Sequence, residues 1–416
     1  MKPILRLALL LAAGLSAEMA SAAIPEVSNV TAVQRPGTKL VDITYTVTDA
    51  DGDALKIRVE VSDNAGVLYS VPAFALTGAI GDNVTPGAGK TIVWDAGVDW
   101  DGEYSDQMRV KVIATDTRGF PGLEWGNEIP PGGFLMGQDG GAEGSGPSRH
   151  VNIPWSFWMS KCEIRNDQYA EFLNIALAAG RVRRNGTTSV RAFGDQWTGV
   201  FDGAELIQLG DANDIRWNVN NFEVVGGKTN FPVTVTWYGA VAFATQYGYD
   251  LPTDAEWEKA ARGPDNDDQD EHYLYPWGNT LTGGYANYSA SGDPYEVSNR
   301  GKTPVGYFNG NQTPLGPDTR NGYGLYDLAG NVGEWTRSAL AATETYPQTE
   351  SLADNIHSLT IGDVSRVIRG GDHSSSSTSV DLRVWSRRMV ARTTYRVATG
   401  TNQDVVGFRV VRRSGP

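Results

Sequence analysis

The sequence predicts a chain of two parts, in which a small all-β sandwich precedes a larger domain with few helices and many irregular segments. Residues 24–118 alternate apolar and polar side chains with a period of two, which is typical of half-buried strands. From residue 133 onward, Gly, Asn, Trp and Tyr become frequent and regular periodicity is sparse. A stretch that contains Pro121, Pro130 and Pro131 separates the two patterns. We therefore assign residues 119–132 to a linker and residues 133–413 to the second domain.

The N-terminus has the pattern of a secretory signal peptide, which we assign to residues 1–22. Lys2 and Arg6 supply positive charge, residues 7–15 form an apolar core too short to span a bilayer, and Ala20-Ser21-Ala22 offers a cleavage site. We therefore expect export to the periplasm, the extracellular space or the cell surface. No transmembrane segment is expected after cleavage.

Charge and cysteine content narrow the partners and the chemistry. A net charge of −14 repels phosphate backbones, so we expect no nucleic-acid partner. Exported proteins commonly pair their cysteines as disulfides, but Cys162 is the one cysteine of the 416-residue sequence. The chain therefore cannot form an intramolecular disulfide or a metal site with two thiolate ligands.

Alternating apolar positions predict the strands of the first domain. Two strands follow from Val41, Ile43, Tyr45 and Val47, and from Leu55, Ile57, Val59 and Val61. The Asp-rich residues 49–53 between them favour a hairpin turn over a calcium loop, because the Glu that completes a helix-loop-helix calcium site is missing. Further strands are predicted at residues 90–94 and 108–114. The pattern fits an immunoglobulin- or fibronectin-like sandwich.

Three helices are predicted in the second domain. The first covers residues 166–179, and the second covers residues 238–246 after a strand at residues 232–236. The third follows Thr253, which forms a capping box with Glu256, and this helix ends at Gly263. The remainder is predicted as loops and short strands held together by buried aromatic side chains.

The second domain also carries a series of short motifs. In chain order they are GFLMG (133–137), EIRN (163–166), FPV (231–233) with TW (236–237), LPTDAEWEKAAR (251–262), YPWGN (275–279), ANY (286–288), TPVG (303–306), NGYGLYDLAGNVGEW (321–335), RGG (369–371) and VGFR (406–409). From about residue 125 to residue 413, this order resembles the formylglycine-generating enzyme, or sulfatase-modifying factor, domain family. The resemblance implies a compact α+β fold related to the C-type-lectin-like folds, with little regular secondary structure.

The resemblance further implies two structural calcium sites built from loop oxygens, which calcium prefers as ligands. The ligands expected for the first site are carboxylates and backbone carbonyls of one loop: Asp327, Gly330, Val332 and Glu334. Those expected for the second site are side-chain and carbonyl oxygens of Asn287, Tyr288, Asp293 and Tyr295. The alternative for Asp327 and Glu334 is a pair of solvated or capping carboxylates.

The catalytic position of the family lies directly after Gly370-Gly371. Members of the family carry two cysteines there, which bind copper(I), a soft ion that prefers thiolate ligands. Here residues 372–383 read DHSSSSTSVDLR and contain no cysteine. Because serine is a poor copper(I) ligand, we expect neither copper nor formylglycine formation by the copper route.

The leading interpretation is therefore a binding module without the oxidase activity. The candidate groove residues for a peptide, protein or glycan ligand are Asp372, His373, Ser375 and Trp385. For Trp385 a position in the hydrophobic core is an equal alternative. Two other functions stay open: an oxidoreductase of the same superfamily with a different metal site, and a structural or assembly component at the cell surface.

Overall fold

The computed structural model describes residues 25–49, 52, 54–66, 69, 71–116, 119–140, 146–195, 197–210, 213–264, 273–296, 301–339, 348–352, 357–359, 365–376, 380–393, 396–399 and 402–413. The predicted signal peptide, residues 1–22, and most of the Asp-rich turn lie outside these residues. Within them, no helix has the length and apolarity needed to cross a membrane.

Four α-helices, a 3-10 helix at Val380–Leu382 and a series of short strands make up most of the described secondary structure. The helices are α1 (Ala96–Asp99), α2 (Asn166–Ala178), α3 (Trp237–Gln246) and α4 (Asp254–Arg262). The strands of the first part are β1 (Glu26–Gln34), β2 (Leu40–Thr48), β3 (Leu55–Ser62), β4 (Leu76–Gly78), β5 (Gly81–Val84), β6 (Gly87–Asp95) and β7 (Arg109–Asp116). Those of the second part are β8 (Gly132–Met136), β9 (Arg149–Ile153), β10 (Phe157–Met159), β11 (Val182–Asn185), β12 (Ser189–Ala192), β13 (Glu205–Gln208), β14 (Ile215–Asn218), β15 (Asn221–Val224), β16 (Gly333–Trp335), β17 (Arg366–Arg369), β18 (Arg388–Val390), β19 (Arg396–Thr399), β20 (Asn402–Gly407) and β21 (Val411–Arg413).

The first part contains two antiparallel sheets, with strand orders β1-β2-β6-β4 and β5-β3-β7. Side chains from both sheets share one hydrophobic cluster, in which Ile43, Tyr45 and Trp94 are fully buried. The alternation in β2 and β3 therefore selects the buried face as predicted, because successive side chains of a strand point to opposite sides. The immunoglobulin- or fibronectin-like assignment of these sheets stays a prediction.

The segment predicted as a linker packs against the second part. The Phe120 ring lies 5.7 Å from Phe243 and 5.1 Å from Tyr247, measured between ring centroids. Ile129 is fully buried, and its backbone N–H donates to the Phe157 carbonyl at 2.8 Å. Residues 119–132 are therefore anchored in the core of the second part.

A five-stranded sheet of order β18-β17-β16-β20-β19 lies at the centre of the second part, and its β16–β20 pair is parallel. Helices α2 and α3 contribute Tyr169, Phe172 and Phe243 to one aromatic core. The ends of both helices agree with the predicted ranges to within one residue. Between the short sheets the backbone is mostly irregular, as expected.

The predicted strand at residues 232–236 is not a regular strand. Val233 donates its backbone N–H to the Ile164 carbonyl at 2.9 Å, whereas Val235 donates to Val406 at 2.9 Å. This extended segment changes partner within two residues, so no continuous ladder forms along it. It leads directly into α3, where the Thr236 hydroxyl accepts from the Gly239 N–H at 3.1 Å and caps the helix.

Helix α4 begins with the predicted capping box. The Thr253 hydroxyl accepts from the Glu256 N–H at 3.1 Å, and the Glu256 carboxylate accepts from the Thr253 N–H at 2.8 Å. All nine residues of this charged helix are buried. Its charges are tolerated in the interior because they are paired with arginines from other strands and loops.

Glu258 is the centre of this buried network on α4. Its carboxylate accepts from Arg262 at 2.6 Å, from Arg369 at 2.8 Å and from Arg387 at 3.3 Å. Burial by itself would raise the pKa of Glu258, but attraction to the three guanidinium groups outweighs it and lowers the pKa to about 2. Glu258 is therefore ionised in the fold at neutral pH.

Candidate functional site

The segment after Gly370-Gly371 is held in place by Asp372. This side chain is fully buried, and its Oδ1 accepts from the Ser374 N–H at 2.8 Å and from the Ser374 hydroxyl at 2.7 Å. Its Oδ2 accepts from the Val405 N–H at 3.1 Å. Both carboxylate oxygens are thus used to fix a turn and to join that turn to β20.

His373 and Ser375 continue the turn toward neighbouring loops. The His373 backbone N–H donates to the Asn331 carbonyl at 3.0 Å, and the Ser375 carbonyl accepts from Ser289 at 2.9 Å. Gly301 has a positive φ of 82°, and a Cβ there would lie 2.5 Å from His373 Nδ1. Glycine at this position therefore allows the close approach of the imidazole. Residues 377–379 of the serine run lie outside the described residues.

Trp385 lies in the core of the second part and is 3% exposed. Asp372 and Ser375 are also buried, with exposed fractions of 0% and 8%. Of the four expected groove residues, His373 is the most exposed, and it is half-buried. The structure places these residues around one buried turn and its supporting core.

In the first expected calcium loop, Glu334 points toward an arginine. Arg409 donates to its two oxygens at 2.6 and 2.7 Å, and the Trp257 indole N–H donates to the second oxygen at 2.7 Å. Glu334 and Arg409 are both fully buried. The Glu334 carboxylate is thus neutralised and fully hydrogen-bonded inside the protein, which does not fit the expected role of a calcium ligand. Within the described residues, no side chain donates a hydrogen bond to the Gly330 or Val332 carbonyl.

Asp327 points instead toward Glu163, at the start of α2. Asp327 Oδ2 accepts from the Gly306 N–H at 2.5 Å, and its carboxyl group interacts electrostatically with that of Glu163. Glu163 is 2% exposed; its Oε1 accepts from Asn331 at 3.1 Å, and its Oε2 has no donor among the residues that the structure describes. Burial and the neighbouring Asp327 raise the pKa of Glu163 well above its usual value, and burial also raises the pKa of Asp327. A proton or a cation is needed to stabilise this pair.

The residues of the second expected calcium loop have contacts in two separate places. Asn287 donates to the Gly301 carbonyl at 2.6 Å, and its buried Oδ1 has no protein donor. Asp293 closes its own turn, accepting from the Ser291 hydroxyl at 2.7 Å and from the Tyr295 N–H at 2.8 Å. The Tyr288 carbonyl accepts from Ser291 at 3.0 Å. Asn287 therefore retains an acceptor for a cation, whereas the Asp293 oxygens are already satisfied.

Asn331 joins these loops, and the sequence analysis did not single it out. Its amide donates to Glu163 at 3.1 Å and accepts from the Thr303 N–H at 3.0 Å and from Asn287 at 3.3 Å. Its φ of 61° lies in the left-handed region, which Asn adopts more readily than most residues. The signal available in the sequence is the Gly330-Asn331 pair, which is typical of such a turn. Both side chains that Asn331 contacts in this way, Glu163 and Asn287, carry a buried acceptor without a donor among the described residues.

An open cleft lies above the start of α2. It has a volume of about 330 Å³, and we call it the Cys162 cleft; its lining includes Glu124, Lys161, Cys162, Glu163, Asn309 and Tyr326. A second depression of about 500 Å³ shares Lys161 with it. Burial, with Asp327 and Glu163 nearby, raises the pKa of the Cys162 thiol well above its usual value. The thiol is therefore protonated at neutral pH and is not activated as a nucleophile.

Within the described residues, no group of three or more His, Cys, Asp or Glu side chains is arranged to hold a metal ion. Such groups of side chains are typical of transition-metal sites. Calcium also binds amide and backbone oxygens, so two carboxylates with neighbouring oxygens of these kinds can form a calcium site. His357 is already occupied by protein partners. Its Nε2 lies 2.9 Å from Glu350 and its Nδ1 lies 3.0 Å from Ser338, and all three side chains are fully buried.

The motifs, the capped α4 helix and the irregular α+β domain around the β16–β20 sheet define a sulfatase-modifying factor domain. The sequence profile of the sulfatase-modifying factor enzyme 1-like domain matches residues 127–414. The chain belongs to this family.

Relatives in the family include enzymes and proteins named as inactive. The inactive C-alpha-formylglycine-generating enzyme 2 of Mus musculus is 29% identical over 311 residues, which cover 69% of this chain and 85% of the relative. The formylglycine-generating enzyme of Thermomonospora curvata is 34% identical over 55% of this chain and 75% of its own length. The mouse formylglycine-generating enzyme is 32% identical over 50% of this chain, and the match spans 56% of its length.

Among solved structures, the chain is similar to Treponema denticola variable protein 1. That similarity has 18% identity and a TM-score of 0.41, and it covers 70% of this chain and 95% of that chain. PvdO from Pseudomonas aeruginosa gives 19% identity and a TM-score of 0.42 over 69% and 93% of the two chains.

Proposed function

We propose that this protein is a sulfatase-modifying factor family member that does not generate formylglycine and acts as a calcium-stabilised binding module outside the cytoplasm. One observation carries the proposal. The segment after Gly370-Gly371, in which the family carries its two cysteines, begins here with Asp372, whose two carboxylate oxygens are used to fix a buried turn. A side chain committed in this way maintains the scaffold and does no chemistry on a substrate.

The single cysteine supports the loss of the copper route. Two thiolates are needed to hold copper(I) in the family pattern, and the sequence contains Cys162 and no second cysteine. Cys162 lies at the start of α2, and its thiol is protonated. The relative named inactive C-alpha-formylglycine-generating enzyme 2, matched over 85% of its length, is consistent with a non-enzymatic member of the family.

Calcium is proposed as a structural ion with a ligand set that differs from the expected one. Glu163 and Asp327 bring two buried carboxylates together, and Arg409, the nearby cation, is occupied by Glu334. An ion held by Glu163 and Asp327 would balance this charge and satisfy Glu163 Oε2. The chemistry that calcium supplies here is the fixing of loops, including the Asn287 loop that Asn331 joins to Glu163. Glu334 does not take part in this proposal.

The Cys162 cleft is the proposed ligand site, because it is open and the turn at Asp372 is buried. Its lining offers amide groups from Gln168, Asn230 and Asn309, with charged groups such as Lys161 and Arg165. The aromatic side chain of the lining, Tyr326, is 8% exposed and offers little surface on which a sugar ring could stack. These features favour a polar peptide over a glycan as the ligand.

A binding screen tests this proposal. The calcium-loaded protein is screened against a peptide library and a glycan array, and we expect peptide binders whose affinity falls in Asn309→Ala and Lys161→Ala. Asn218→Ala, on the β14–β15 hairpin away from the cleft lining, is the control. Silence in both screens contradicts a binding module, and glycan binders in place of peptide binders contradict the assigned ligand class.

The alternative of an oxidoreductase with another metal has less support. His357 is occupied by Glu350 and Ser338, and His373 adjoins an aspartate that fixes the turn. Metal analysis of the purified protein separates the two functions, because stoichiometric iron or copper lost in His373→Ala would favour the oxidoreductase. The same fold is also compatible with a structural or assembly role at the cell surface, but no separate observation favours that role.

A further inference from the structure

The first part of the chain has a cleft of its own, which the proposed function does not use. It has a volume of about 310 Å³, and its lining includes residues of β1 and β7, which are edge strands of the two sheets. We call it the aromatic cleft; its lining includes Trp94, Trp100, Glu103, Tyr104, Met108 and Val110. Most of this lining is apolar, in contrast to the Cys162 cleft.

The aromatic walls are fixed by hydrogen bonds. The Trp94 indole N–H donates to Asp99 Oδ2 at 2.9 Å, and the same oxygen accepts from the backbone N–H groups of Phe74 and Ala75. Asp99 thus connects the cleft to the segment before β4. The Trp94 ring is 1% exposed, so it supports the lining of the cleft and offers little surface to a ligand.

Tyr104 stands in the opening with 87% of its surface exposed. Its neighbour Ser105 donates to the Asp63 carbonyl at 2.5 Å and accepts from the Gln107 N–H at 3.0 Å, so the turn that carries the ring is anchored. Phe74, whose N–H donates to Asp99, and Val98, which precedes Asp99 in the chain, are exposed by 74% and 70%. Several exposed apolar side chains grouped beside a cleft mark a surface that binds something.

The charge around the aromatic cleft is negative. Residues 95–106 contain no Lys or Arg, and their acidic side chains are Asp95, Asp99, Asp101, Glu103 and Asp106. Lys39, a basic residue of the lining, is paired with Asp101. Among the described residues no ion pair involves Glu103, which is exposed at the cleft.

Aromatic faces together with a carboxylate are the chemistry that recognises organic cations. An anionic ligand would be repelled by the acidic rim. A neutral sugar needs several free hydrogen-bonding groups, but the Ser105 hydroxyl and the Lys39 ammonium are already engaged. We propose that the aromatic cleft binds an alkylammonium group, held against Trp100 and Tyr104 with Glu103 as its counter-charge.

Two sources supply such a group: a quaternary ammonium compound and the lysine side chain of a polypeptide. Calorimetric titration of the full chain with choline chloride and with N-acetyl-lysine amide distinguishes them by which cation binds more tightly. The neutral isostere 3,3-dimethylbutan-1-ol has the shape of choline without the charge. We expect it to bind about tenfold more weakly than choline, in the range of a cation–π contact.

Variants at exposed positions show whether this cleft is responsible. Tyr104→Ala and Glu103→Gln should each weaken the binding of the preferred cation several-fold, and neither change removes a buried group. Phe193→Ala and Glu128→Gln, an exposed ring and an exposed acid of the second part, are the matched controls and should leave affinity unchanged. Equal binding of choline and its neutral isostere, no binding of either cation at millimolar concentration, or full affinity in both cleft variants overturns the proposal.

Discussion

At the scale of single residues, the second part of the chain depends on buried carboxylates, and their partners decide what each one does. Glu334 has Arg409, and Glu258 has three arginines. Glu163 has an asparagine, an aspartic acid and one oxygen without a donor. Of these three carboxylates, Glu163 is the one without an arginine partner, and we therefore expect an ion there.

We predict that calcium raises the melting temperature of the protein over that in EGTA, by about 5 °C or more when calcium is about 100-fold above its Kd. Glu163→Gln and Asp327→Asn should abolish this shift, because each removes one of the two anionic ligands. Glu124→Gln, an exposed carboxylate in the lining of the same cleft, should retain it. An equal melting temperature with calcium and with EGTA would contradict the calcium proposal.

Glu258 gives a second prediction at this scale. Glu258→Gln should lower the free energy of unfolding by about 3–5 kcal/mol, because buried arginines lose their shared counter-charge. Glu223→Gln, which removes an exposed pair with Arg216, should cost no more than about 0.5 kcal/mol. Urea denaturation of both variants measures the difference, and similar losses would show that the buried network is not specially stabilising.

The same side chain predicts a pH dependence. Its pKa is lowered to about 2 in the fold, below the ordinary value of 4.5. The stability that it contributes is present above the unfolded value and is lost as the pH falls toward 2. The difference in stability between the wild type and Glu258→Gln should therefore shrink between pH 5 and about pH 2, as measured by urea denaturation at each pH. A difference that stays constant over this range would contradict the ionised assignment.

At the scale of elements, the loops that carry the candidate sites are held by close backbone approaches. Gly330 has a φ of 86°, and a Cβ there would lie 2.0 Å from the Asn287 carbonyl oxygen. Gly186, in the turn between β11 and β12, has a comparable φ of 61°, but nothing lies within 4 Å of its Cβ position. A substitution at Gly186 therefore tests backbone strain alone, whereas one at Gly330 tests backbone strain together with steric overlap.

We predict that Gly186→Ala costs about 1–2 kcal/mol, the penalty for a left-handed residue with a Cβ. Gly330→Ala should cost several-fold more, because the loops around Asn287 and Asn331 must move apart. Thermal unfolding of both variants measures this difference. Equal costs would show that the contact between these two loops does not support the fold.

Elements with strong local signals were predictable from the sequence. The α4 capping box and the limits of α2 and α3 follow from caps and periodicity, which are local properties. The segment at residues 232–236 was not predictable, because its backbone partners come from Ile164 and Val406, far away in the chain. The direction in which Asp327 points, toward Glu163 and not toward Glu334, also depends on contacts between distant segments.

At the scale of the whole molecule, the family match covers most of the second part. The profile of the family matches residues 127–414, and within this range the segment after Gly370-Gly371 forms a buried, hydrogen-bonded turn. The expected groove residues were chosen by position in the sequence, and burial of Asp372 and Trp385 could not be inferred from that position. The open surfaces lie elsewhere, at the Cys162 cleft and the aromatic cleft.

The most direct test of the central claim is an assay for formylglycine on a cysteine-containing sulfatase peptide, with copper(I) and oxygen supplied. The formylglycine-generating enzyme of Thermomonospora curvata serves as the positive control. We predict that hydrazide capture and mass spectrometry detect aldehyde with the control enzyme and none with this protein. Copper-dependent conversion of the peptide cysteine to formylglycine by this chain would contradict the account.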